Sequence, residues 1–257
     1  MNPSTVLLLG DITGKGCVGL RMLTAQLERL GHEVLALPTA LISNIFRLGS
    51  HESLETTDYL IRTLDTWAKL GIGYSVMYVG YVTGSAQAWA LCGAMDEARS
   101  RGVQVIVDPI LGDEGQMYRS VTPDQADAMR LLCGHADILT PNMTEACLLT
   151  GTPWQASFSC EALGNMARSL GEGRRSVLIT GAAIESGGRA CVGLDAQSGG
   201  QICLPYEPVA GSHYGTGDRF TALLIDGLLR GRDLAQAADA AQQGVRAWIL
   251  AGAHEKR

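Results

Sequence analysis

The amino-acid sequence predicts an α/β fold in one domain, with a central sheet that is mostly parallel and buried. Three observations carry that expectation. Apolar runs alternate with stretches of helical periodicity, the runs are short and nearly continuous, and a chain of 257 residues, 46% hydrophobic and 18% charged, suffices for one sizeable core. Such alternation implies right-handed βαβ crossovers.

In chain order, Val6-Leu7-Leu8-Leu9 reads as the first strand, Leu20, Leu23, Leu27 and Leu30 share one helical face, and Val34-Leu35-Ala36-Leu37 is the second strand. Further strands are expected at Ser75 to Val82, Val103 to Ile110, Ala136 to Leu139 and Ser176 to Thr180. Helical segments are expected near 53–70, 85–101 and 122–133. Beyond Thr180, Gly187-Gly188 and Gly199-Gly200 bracket Arg189 to Leu194, and Gln201 to Tyr206 follows, so an antiparallel hairpin is expected at the sheet edge. Two helices, Asp218 to Leu229 and Asp233 to Leu250, close the sequence. It contains no internal repeat or low-complexity linker.

A net charge of −6 offers no broad positive field, which argues against nucleic acid and anionic membranes as partners. The start Met1-Asn2-Pro3-Ser4-Thr5 has no basic region before an apolar stretch, and no apolar run approaches the roughly 18 residues of a membrane span. A cytoplasmic location is expected. The seven cysteines are scattered and never at Cys-x-x-Cys spacing, which reads as reduced, mostly buried thiols with no zinc site.

Open α/β sheets bind ligands beyond the carboxyl ends of their strands. The residues there are Gly10-Asp11, Asn44, Gly80-Tyr81, Asp108-Pro109, Thr140-Pro141-Asn142 and Thr180-Gly181. Gly14-Lys15-Gly16-Cys17-Val18-Gly19 matches a dinucleotide fingerprint, but Asp11-Ile12-Thr13 separate it from the strand, so a glycine-rich loop over a small substrate fits better than a nicotinamide site. Gly215-Thr216-Gly217-Asp218 opens a late helix and suits an anion cradle with a carboxylate in its first turn. The same residues also suit a helix start marked by Thr216, with Asp218 complementing the dipole.

The Gly-Thr-Gly-Asp segment resembles the anion hole and catalytic aspartate of the ribokinase-like superfamily. The rest of the chain is similar to its pyridoxal/pyridoxamine kinase branch. Val107-Asp108-Pro109-Ile110-Leu111-Gly112-Asp113 with Gly115 and Met117-Tyr118 resembles that branch's Asp-Pro-Val-Met-Gly-Asp stretch, and Ala136 to Glu145 resembles its Ala-Asp-Ile-x-x-Pro-Asn-x-x-Glu stretch. Asp11-Ile12, Pro38-Thr39-Ala40 with Ser43, and Gly80-Tyr81 with Gly84-Ser85 are similar to earlier landmarks.

The resemblance implies a three-layer α/β/α kinase domain over residues 1–257, using ATP and Mg²⁺ to phosphorylate the hydroxymethyl group of a vitamin B6 compound as a homodimer. A monovalent cation is a further expectation. It implies catalysis by Asp218 as general base with Gly215, Thr216 and Gly217, and nucleotide contacts from Asp113, Thr140, Asn142, Thr180 and Gly181 as well as Thr216 and Gly217. Acceptor contacts fall to Asp11, Asn44, Phe46, Tyr81, Tyr118 and Asp218, and the metal environment to Asp108, Asp113 and Glu145. Asn142 and Glu145 equally have capping-box spacing, which a glutamine could also close. After Ser43-Asn44 the branch continues His-Thr-Gly, whereas this chain reads Ile45-Phe46-Arg47. That departure keeps open another heteroaromatic alcohol, such as hydroxymethylpyrimidine, as acceptor, or a non-catalytic ligand-binding homologue.

Overall fold

Val6 to Leu9 are completely buried, which is what a strand flanked on both sides by parallel neighbours requires. In the computed structural model, which describes residues 4–211 and 214–252 and leaves the side chain of Arg47 aside, they lie in β1 (Thr5–Lys15). The chain forms two compact units. The first runs to Asp108 and resumes over Ser120–Ala136; the second comprises Pro109–Arg119 and the chain from Asp137 onward.

In the first unit the strand order is β5 (Gln104–Val107), β4 (Val76–Val79), β1, β2 (Glu33–Asn44) and β3 (Ser53–Glu55). The first four are parallel, and β3 runs antiparallel to β2. Helix α1 (Leu20–Arg29) buries Leu20, Leu23 and Leu27, the face anticipated from the sequence. Helices α2 (Thr57–Lys69), α3 (Ser85–Ser100) and α4 (Pro123–Cys133) complete the unit. Thr122 caps α4 in a full capping box with Gln125, and Pro123 fits the first turn, where its missing N–H is not needed. At the start of α3, the Ser85 amide and hydroxyl both donate to the Asp124 carboxylate. A Cβ on Gly84 would lie 2.3 Å from Asp124 Oδ2, so only glycine admits that approach.

The second unit holds the antiparallel two-stranded piece β6 (Gly112–Asp113) and β7 (Gln116–Met117), and the strands β8 (Ile138–Leu139), β9 (Ser176–Ala183), β10 (Arg189–Leu194) and β11 (Gln201–Tyr206). β8 and β9 are parallel, while β9, β10 and β11 are successively antiparallel, with β11 at the edge. The edge hairpin was anticipated. Its helices are α5 (Met143–Thr150), α6 (Cys160–Gly171), α7 (Thr216–Leu229) and α8 (Leu234–Leu250). α7 and α8 pack closely where Gly244 meets Leu223, and the Arg219 guanidinium lies 5.1 Å from the Trp248 ring centre.

Several boundaries differ from the sequence reading. Residues 53–55 form a strand because they pair with Ala40, Leu41 and Ile42, and the helix begins only at Thr57. β1 continues past Gly10 through a register shift and pairs as far as Lys15 with Asn44. Asp11 therefore lies within the strand, and Gly14 belongs to it as well. Helix α6 was not anticipated. Among the described residues no helix is long and apolar enough to cross a membrane.

Candidate active site

In the first unit, Asp11 follows the register shift of β1 and faces the start of α1, where a Cβ on Gly19 would lie 3.0 Å from Asp11 Oδ1. Gly19 adopts a positive φ of 56°, so two constraints select glycine there. The glycines that resemble a nucleotide loop thus serve chain packing. A Cβ on Gly14 would meet the Ser43 carbonyl oxygen at 2.8 Å, and one on Gly16 would meet the Ile45 side chain.

Burial pushes the Asp11 carboxyl up from 3.8 to about 6, against a smaller lowering by a backbone hydrogen bond. The folded state therefore binds a proton more readily than the unfolded state, and stability falls as pH rises through that window. Above it the loss is complete, on the order of 2–3 kcal/mol. Asp11→Asn should accordingly raise Tm by several degrees at about pH 8 and give no gain near pH 3. Thermal melts at the two pH values check this, and an equal gain at both would assign the effect to something other than ionisation.

Tyr81 is buried, and its hydroxyl accepts a hydrogen bond from Gln125 Nε2 at 2.7 Å. Burial raises its pKa, the Gln125 bond lowers it, and the nearby Asp11 charge raises it. Gln125 also donates to the Val82 carbonyl and accepts from the Thr122 amide, so it fixes the tyrosine. The sequence reading missed it, although a buried glutamine at the third position of a capping box is a signal. Phe46 opens a short 3₁₀ turn, Phe46–Leu48, and its ring centre is 5.6 Å from that of Tyr81 and 4.9 Å from that of His51. The Asn44 amide donates to the Ile45 and Ser50 carbonyls and accepts from Ser43, so the side chain shapes the 45–50 turn. Asp108 is buried, with the Tyr78 hydroxyl 3.4 Å from Oδ2.

In the second unit, Glu145 is 3% exposed and both of its carboxylate oxygens accept backbone N–H groups: Oε2 from Asn142 at 2.8 Å and Oε1 from Leu111 at 3.1 Å. Asn142 completes the capping box through Glu145 N and donates to the Gly112 carbonyl, while Thr144 Oγ1 accepts from the Gly115 amide. The first turn of α5 thereby clamps the β6–β7 segment. Glu145 joins the start of α5 to the backbone at Leu111. Asp113 is exposed on β6, its Oδ1 accepting the Glu114 amide, and the Tyr118 amide donates to the Leu111 carbonyl.

Thr140 Oγ1 is buried with no hydrogen-bond partner. Beside it, Asn142 and Thr180 form a parallel bridge, and the Thr180 amide donates to the Pro141 carbonyl. Gly181 has a positive φ of 61° inside β9, and its carbonyl accepts from Arg189. At α7 the N-cap is Gly215 in the left-handed conformation, so no N-cap side chain covers the first-turn N–H groups. Thr216 is the first helical residue, which removes it from the capping role, and Asp218 stands half-buried in the first turn. A Cβ on Gly217 would meet nothing within 4 Å.

The phosphomethylpyrimidine kinase family profile matches residues 55–256. The chain belongs to this family. It is thus a kinase family member with a ribokinase-like α/β fold, as the motifs implied. The pyridoxine/pyridoxal/pyridoxamine kinase of Bordetella bronchiseptica is 33% identical over 235 residues, covering 87% of this chain and 80% of the relative. A Bacteroides thetaiotaomicron structure with pyridoxal superposes with a TM-score of 0.88 at 28% identity, covering 97% of this chain and 88% of that one. The pyridoxal kinase of Lactobacillus plantarum gives 0.86 at 27% identity, with 99% and 90% covered.

Proposed function

We propose that the chain transfers the γ-phosphoryl group of ATP to the hydroxymethyl group of a vitamin B6 compound. The observation that carries this reading is the start of α7, with a left-handed glycine at the N-cap, no N-cap side-chain hydrogen bond and Asp218 in the first turn. N–H groups there, from Gly215 to Gly217, stabilise charge on the transferring oxygens, the main source of rate in phosphoryl transfer. Asp218 accepts the hydroxyl proton as that oxygen attacks phosphorus. On the nucleotide side the reading places Asp113, Thr140, Asn142, Thr180 and Gly181. The unpartnered Thr140 hydroxyl supports this, because a buried orphan of that kind is normally satisfied by a ligand or water.

For the acceptor, Asp11 takes a charge-assisted hydrogen bond from a protonated ring nitrogen or its neighbour, and Tyr81 and Phe46 offer aromatic faces to the ring. Tyr118 is the further acceptor contact. Magnesium would be held with most of its waters by Asp113 and the nucleotide phosphates, with Asp108 and Glu145 as the other carboxylates of the resemblance, and would neutralise phosphate charge. The same reading takes residues 1–257 as one kinase domain acting as a cytoplasmic homodimer, with a monovalent cation as an additional requirement.

A screen of pyridoxal, pyridoxamine, pyridoxine and hydroxymethylpyrimidine for ATP-dependent phosphorylation tests the proposal. Phosphorylation of the pyrimidine alone would transfer the reading to that acceptor, and inert behaviour towards all four would favour a ligand-binding homologue.

The altered turn supplies a sharper experiment. Ile45 packs against Gly16, whereas Phe46 lies against Tyr81, so selectivity should reside in Phe46. Phe46→Thr should shift relative kcat/KM across the four acceptors by about 2–10-fold, the worth of one aromatic contact. Unchanged ratios would place Phe46 outside the acceptor site.

A further inference from the structure

Two thiols of the second unit that have no part in the proposed kinase reaction lie together. Cys160 is the first residue of α6, whose N-cap Ser159 accepts from the Ala162 amide. Cys203 lies on the edge strand β11. Their sulfur atoms are 3.1 Å apart, with the Cys203 thiol donating towards Cys160 Sγ. That separation is already short of ordinary sulfur contact, and a disulfide requires only about 1 Å of further approach.

Access and surroundings distinguish this pair from the other cysteines. Cys203 is exposed and Cys160 half-buried, whereas Cys92, Cys133, Cys147 and Cys191 are all buried, and Cys17 belongs to the other unit. A small oxidant in solution can therefore reach the pair without opening the core. Partial desolvation at the contact with Cys160, reinforced by the hydrogen bond between them, pushes the Cys203 thiol up to about 11. The Cys203 S–H donates to Cys160 Sγ, which makes Cys160 the attacking sulfur and Cys203 the resolving one.

We propose that Cys160 and Cys203 are a peroxide-reactive dithiol that closes reversibly into a disulfide, stapling β11 to α6. Cys160 thiolate attacks one oxygen of hydrogen peroxide; the O–O bond breaks, a sulfenic acid forms, and the leaving hydroxide takes up a proton as water. The Cys203 sulfur then displaces the sulfenic oxygen, the S–S bond forms, and a second water leaves with the Cys203 proton. Two thiols are oxidised and one peroxide is reduced to two waters. A dithiol reductant reverses the change by exchange.

The full chain, reduced and freed of reductant, should be treated with hydrogen peroxide and followed by intact mass, thiol titration and non-reducing peptide mapping. The expected product has lost two hydrogens and two titratable thiols, carries a Cys160 to Cys203 linked peptide, and returns to the starting mass with dithiothreitol. Its Tm should exceed that of the reduced protein by several degrees, since the cross-link closes the loop between residues 160 and 203 in the unfolded chain. Cys160→Ser and Cys203→Ser should each abolish the linked peptide. The proposal is overturned by an unchanged thiol count, by accumulation of sulfinic acid at either cysteine in place of the link, or by a disulfide that maps to Cys191. Mapping on the parent chain decides the matter even where a serine variant folds poorly.

Discussion

Asp218→Asn is expected to lower kcat by about 10²–10⁴-fold while leaving nucleotide affinity nearly intact. Asparagine keeps the size of aspartate in the first turn of α7 and cannot take up the acceptor's proton at neutral pH. The loss is bounded for two reasons. A loose transition state demands little proton removal before phosphorus is reached, and the N–H groups at Gly215 to Gly217 persist in the variant. The helix start loses its favourable carboxylate charge, about 0.3–1 kcal/mol, so the fold should survive. Steady-state kinetics alongside nucleotide binding check this. A folded variant that turns over at close to the parent rate would remove Asp218 from the role of base.

Glu145→Gln is expected to destabilise the protein rather than leave it intact. Capping-box spacing alone suggests that glutamine could replace glutamate there. The structure overturns that expectation, because each oxygen of the buried carboxylate accepts a different backbone N–H. Glutamine offers one acceptor and one amide donor, so either Leu111 or Asn142 is left facing a donor. One unsatisfied buried N–H costs about 1–3 kcal/mol. Denaturant unfolding should therefore show a lower midpoint at unchanged slope. A weakened clamp on β6–β7 should also raise the magnesium needed for activity, through Asp113. Unaltered stability would mean that the two amides find other partners; altered stability with an unaltered magnesium dependence would confine Glu145 to capping.

The motif residues of the site were legible because each is a local event. Gly215-Thr216-Gly217-Asp218 is a turn into a helix, and Asn142 with Glu145 is one capping box, so adjacent side chains define both. The buried strands were legible for a similar reason, since runs such as Val103 to Ile110 leave few alternatives, although only Gln104–Val107 pairs as strand. What escaped depends on partners far along the chain. β3 exists because Ser53–Glu55 meets Ala40–Ile42, and no periodicity over three residues reveals that. The extension of β1 rests on a register shift that hydrophobic pattern does not encode. Gln125 reaches Tyr81 from 44 positions along the chain, and Glu145 reaches Leu111 from a different element. Cysteine spacing likewise gave no sign that Cys203 would stand beside Cys160.

The carboxylate of Asp124 ties together the fortunes of two helices. It sits in the first turn of α4 and receives the first amide and hydroxyl of α3, in the space left by Gly84. Fraying of α4 at that end withdraws the cap from α3, and loss of the α3 turn gives up both hydrogen bonds that hold the exposed Asp124 carboxylate in place. Neither helix can melt from its start without raising the free energy of the other. Their amides should consequently become accessible to solvent in one cooperative opening, which makes the pair a single foldon rather than two independent ones.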